Sequence, residues 1–88
     1  MTGLIFPNSK SLEESLLRCL SKSDVPLSNN DIEQLVIDDL KLDSNIVSLI
    51  RSGSRTELQY RLAWARTKLK SKGLIVKVES QKWSVVAR

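Results

Sequence analysis

The stretch RLAWARTKLKSKGLI, Arg61 to Ile75, decides how this chain is read. Two periods meet inside it. Before Gly73 the apolar residues recur at helical spacing. With Leu58 just upstream, Leu62, Ala65 and Leu69 complete a series at i, i+4, i+7 and i+11, within about 60° of arc on a helical wheel. After Gly73 the spacing becomes two: Leu74, Val76 and Val78 lie on one side of a strand, Ile75 and Lys77 on the other. Lys70 and Lys72 suit the last turn of the helix, and Gly73 takes the place of a C′ glycine. Upstream, Thr56 or Ser54 is expected to cap the helix, with Glu57 at its positive end.

Downstream, ESQ reads as a turn and KWSVVA as a second strand, with Trp83 and Val85 two apart, so the chain closes on a β-hairpin. Working back, SLEESLLRCL is a helix whose stripe is Leu12, Leu16, Cys19 and Leu20, with Ser11 and Glu14 in the form of a capping box. Pro26 stops it. Ser28 and Asp31 open a second helix with the stripe Ile32, Leu35, Val36 and Leu40. NIVSLI is a short helix or turn, ended by Gly53. The order is helix, helix, short helical piece, long helix, hairpin. The expected fold is mainly α with a small C-terminal β-hairpin, a winged helix-turn-helix over residues 1–88, with residues 1–8 as an ordered or frayed arm.

Composition narrows the chemistry. The 88 residues make one domain, 41% apolar, with no histidine and one cysteine. The commonest acid/base group and metal ligand is missing. Cys19 sits in a helical stripe as a small core residue and cannot build a disulfide framework, which fits a reducing, cytoplasmic setting. No apolar run is long enough to span a membrane. Nothing calls for a cofactor, a small-molecule substrate or a metal. An acid-x-Lys triplet, Asp39-Leu40-Lys41, falls at a helix end without a partner acid, a chance occurrence rather than a catalytic motif.

Charge is unevenly placed. Residues 1–49 carry four cations and eight acids, a net −4; residues 50–88 carry ten cations and two acids, a net +8. On the long helix the face opposite the core stripe holds Gln59, Tyr60, Ala63, Trp64, Thr67, Lys70 and Ser71, with Arg66 at its edge. Arg61, Lys68 and Lys72 flank the core on the other side. Small residues at the centre, ringed by cations and an amide, suit a helix lying in the major groove. A solvated outer face is the plainer alternative. Against it, Arg55 to Lys72 contains a single acid, Glu57, and the cations continue onto the hairpin at Lys77 and Lys82. The expected DNA-contacting residues are Arg55, Thr56, Gln59, Tyr60, Ala63, Arg66, Thr67, Lys70, Lys77 and Lys82. Trp64 is expected to bury against the hairpin and Trp83 to be structural. Base stacking is the lesser option, because aromatics are 5% of the chain.

The segment from Ser52 to Val85 also resembles the N-terminal winged-helix domain of Mrr-type restriction endonucleases. The matching features are Ser52-Gly53 before Arg55-Thr56, Arg61, Trp64-Ala65-Arg66-Thr67, Leu69-Lys70, Gly73-Leu74 and Trp83. Family members often carry a glycine in the hairpin turn, where this chain has Glu79-Ser80-Gln81-Lys82. The resemblance implies a duplex-DNA recognition module whose nuclease domain lies outside this chain. A protein-interaction or dimerisation module, including a homodimer, and a stand-alone small DNA-binding regulator remain the alternatives.

Overall fold

The computed structural model describes residues 6–79 and 81–86. Helix α1 (Ser9–Lys22) begins earlier than the Ser11–Glu14 signature indicates. Asn8 is the cap, its side-chain oxygen accepting from the Ser11 amide at 2.8 Å. Asn caps as well as Ser, and starting there adds residues to the first turn. Of the expected arm, residues 1–5 lie outside the described residues, while Phe6 packs against the core. Ser15 shares the buried stripe with Leu12, Leu16, Cys19 and Leu20. It is tolerated because its hydroxyl donates to Asp39 at 2.7 Å.

Strand β1 (Leu27–Ser28) leads directly into α2 (Asn29–Leu40). Ser28 closes the capping box with Asp31, as the sequence indicates. Ile32 and Val36 of α2 are buried, whereas Leu35 turns outward. The short helix α3 (Ser44–Val47) inserts Ile46 into the interior. Strands β2 (Ile50–Ser52) and β3 (Arg55–Thr56) then form a two-stranded antiparallel ribbon. Its turn uses Gly53 at φ +55°, a left-handed conformation that favours glycine.

Helix α4 (Glu57–Ser71) buries Leu58, Leu62, Ala65 and Leu69 against α1 and the sheet, as the spacing indicates. It ends in a Schellman arrangement: the Gly73 amide donates to the Lys70 carbonyl and the Leu74 amide to the Leu69 carbonyl, both at 3.0 Å, with Gly73 at φ +77°. Strands β4 (Ile75–Val78) and β5 (Lys82–Val85) make the hairpin, and β1 pairs with β5, giving a three-stranded sheet of order β1-β5-β4. Leu27 lies opposite Trp83, and Lys77 opposite Trp83 on the other edge. The side facing the helices is that of Ile75; Leu74 and Val76 are 41% and 40% exposed. Four helices, the third a single turn, on a small sheet that ends in a hairpin fit the winged-helix arrangement.

Candidate nucleic-acid interface

Two of the expected contact residues hold α4 in place. Thr56 caps the helix by accepting from the Gln59 amide, and the Gln59 side-chain oxygen accepts from the Thr56 amide, both at 3.1 Å. The Gln59 side-chain nitrogen reaches Glu33 of α2 at 3.4 Å. The amide picked out as a base reader thus has both its ends occupied, one in the cap and one on the neighbouring helix.

Arg66 stands about two turns further along α4, half-buried, its guanidinium 5.8 Å from the centre of the Trp83 ring. Burial, with the nearby Arg55 charge adding to it, lowers its pKa from the usual arginine value, and Glu33 opposes the shift. The group remains a cation. Lys77, across the ladder from Trp83, places its ammonium 5.8 Å from the same ring. Trp83 therefore links the helix and the wing. Its ring is buried, and its indole N–H donates to Asn29 at 2.8 Å, so it is structural, as expected. Lys82 pairs with Val78 in the ladder, and Lys70 is exposed on α4.

Two shallow clefts share Arg55 as a wall. One, of about 300 Å³, lies between the start of α2 and α4 and is lined by Asn29, Asn30, Glu33, Arg55, Gln59 and Arg66. The other, of about 230 Å³, lies on the outer face of α4 between Tyr60, Ala63, Trp64 and Thr67, with Arg55 again at its edge. Thr67 donates its hydroxyl to the Ala63 carbonyl at 3.0 Å. Tyr60 is covered by the Arg51 guanidinium, 3.6 Å from the ring centre, and meets Trp64 edge-on with centroids 6.5 Å apart. Trp64 does not bury against the hairpin as expected: it is 54% exposed. Its position on the wheel faces away from both the core and the sheet, and the hairpin does not cover it.

The expectation that the cations of α4 lack acids also needs correction. Glu57 holds Arg61 at 2.6 Å and Arg51 at 3.1 Å, and Glu13 of α1 holds Lys72 at 3.2 Å and Lys68 at 3.6 Å. Glu13 from the first half of the chain and Glu57 of α4 itself neutralise one edge of the helix. By contrast, Arg55, Arg66, Lys70, Lys77 and Lys82 carry no salt bridge among the described residues. These are the five cations of the expected contact set. Sequence reasoning missed Asn29, Asn30 and Glu33, whose only signal is their place in the first turns of a capped helix.

A family model described as the Mrr N-terminal domain matches residues 10–88. The chain belongs to that family. The Mrr N-terminal domain is associated with Mrr restriction systems, and its match here spans every helix except the first residue of α1, together with the whole wing. No curated protein and no solved structure matches the chain. In this Mrr N-terminal domain the wing turn, where glycine was the family expectation, puts Glu79 at φ +30° and Gln81 at φ +58°. The left-handed conformations that glycine favours are kept without it. Asp39 of the acid-x-Lys triplet accepts from Ser15 and Arg18, and Lys41 is the left-handed cap of α2. Among the described residues no group of three acids or cysteines is placed to hold a metal, and no helix is long and apolar enough to cross a membrane.

Proposed function

We propose that this Mrr N-terminal domain binds duplex DNA, with α4 in the major groove and the β4–β5 hairpin against the flanking backbone. The observation that carries the reading is the partition of charge. The cations on the α1 side of α4 are matched by Glu13 and Glu57, while Arg55, Arg66, Lys70, Lys77 and Lys82 form no salt bridge among the described residues. Unmatched cations distributed over a helix and an adjacent wing suit successive phosphates. In this reading Lys70, Lys77 and Lys82 contact phosphates, and Arg55 and Arg66 line the approach to the groove. Thr56 and Gln59 position the helix, and Tyr60, Ala63 and Thr67 form its contact face. The domain is the recognition part of a Mrr-like restriction endonuclease acting in the cytoplasm, and cleavage belongs to residues outside these 88.

The test compares two variants in fluorescence anisotropy on a labelled duplex at low salt. Lys70→Ala/Lys77→Ala/Lys82→Ala should lose most of the affinity, because three phosphate contacts go. Lys68→Ala/Lys72→Ala should bind like the parent. Equal losses in both would contradict the proposed face.

A further inference from the structure

The centre of the α4 outer face has few polar groups left to read a base with. The Gln59 amide is tied to Thr56 and Glu33, and the Thr67 hydroxyl donates to the Ala63 carbonyl. With its hydroxyl turned back onto its own helix, Thr67 presents its methyl group. Ala63 presents another, one turn before it, and the exposed Trp64 ring borders both. The hollow they form with Tyr60, about 230 Å³, is mostly apolar, while Arg55 stands at its edge and Lys70 lies three residues beyond Thr67, neither in a salt bridge among the described residues. A mostly apolar hollow beside such cations calls for a ligand that carries an apolar group close to negative charge. On the major-groove edges of the four base pairs there is one such group, the C5-methyl of thymine.

We infer that the hollow of Ala63, Trp64 and Thr67 receives thymine methyl groups, so that the domain prefers thymine-rich duplexes through apolar contact. The inference rests on the proposed DNA-binding reading and adds the base that the face selects. Thr67 and Trp64 are specificity-determining residues in it, and the cations around them supply affinity that is blind to sequence.

Replacing thymine by deoxyuridine removes the methyl group and leaves every hydrogen-bonding group in place. The 88-residue chain is titrated against an alternating adenine–thymine duplex and its adenine–uracil counterpart at the same salt. Affinity should be about fourfold weaker on the uracil duplex for each methyl buried. Thr67→Ser, which keeps the hydroxyl and removes only the methyl, and Trp64→Ala, at an exposed position, should narrow that gap while keeping the parent's salt dependence. Equal, salt-dependent binding of the parent to both duplexes overturns the inference and leaves DNA binding standing. So does a gap of the same size in both variants, because DNA shape would then be its source. No binding to either duplex at low salt overturns the inference and the proposed function together.

Discussion

Lys72, the C-cap of α4, donates to Glu13 of α1 at 3.2 Å, across 59 residues of sequence. Lys68 shares the same carboxylate at 3.6 Å. The pairing removes one edge of the basic helix from the set of cations open to a polyanion. Lys70, between them in sequence, forms no salt bridge among the described residues. Lys70→Ala should therefore weaken binding to all duplexes alike and reduce the salt slope by about 1, whereas Lys72→Ala should change neither. Both should melt within about 0.5 kcal/mol of the parent, because exposed ion pairs contribute little. Identical slopes for the two variants would show that the partition has no bearing on binding.

The Gln59 side chain closes the cap of α4 and ties it to Glu33. Gln59→Ala is expected to cost about 1 kcal/mol of stability, the usual scale of a lost cap interaction. Its effect on DNA should be the same for good and poor sites, since no base contact is lost. Urea denaturation and binding to two unlike duplexes measure both. A stable variant with altered site preference would make Gln59 a base reader after all.

Much of this fold is written in local spacing. Leu58, Leu62, Ala65 and Leu69 mark α4, and the change of period after Gly73 marks the hairpin. Each signal lies within a few residues of what it specifies. What escaped is set by distant partners. Leu27 and Ser28 are too few to show any period and become a strand only because Trp83 and Lys82 pair with them. The β2–β3 ribbon has three residues and two, again defined by pairing. Ser11 and Glu14 imitate a cap that Asn8 supplies. In the candidate site, the cations could be counted from sequence, but which of them stay unmatched depends on Glu13 reaching α4 from the far end of the chain. The exposure of Trp64 follows from its place on the outer face of α4, where the hairpin does not reach it, and the packing of the hairpin is not written in residue type.

Acid should loosen the joint between α1 and α2. Arg18 first, then the Ser15 hydroxyl, hold the Asp39 carboxyl below the usual carboxylate range; Arg61, then Arg51, do the same for Glu57. A carboxylate whose folded-state pKa lies below its unfolded value, roughly 4, contributes stability above that value and loses it as pH falls through the folded one. Thermal melts from neutral pH into the acid range should fall less steeply for Asp39→Asn than for the parent. Parallel curves would mean that the Ser15–Asp39–Arg18 cluster carries no pH-dependent stability.

Gly73 offers a clean backbone probe. A side chain there meets nothing within 4 Å, yet the residue sits at φ +77°. Gly73→Ala should cost about 1 kcal/mol from conformation alone. Leu62→Ala, at a buried position, should cost about 2–5 kcal/mol through the cavity it leaves. Denaturation midpoints rank the two, and a larger loss for Gly73→Ala would contradict the buried stripe assigned to α4.

The most direct measurement is a salt titration of the parent domain on duplex DNA. Five cations on α4, its flanking ribbon and the wing that form no salt bridge among the described residues imply several phosphate contacts. With about four phosphates neutralised, affinity should fall on the order of 100-fold between 50 and 200 mM salt. A flat response, or no binding at the lowest salt, would contradict a DNA-binding face on this domain.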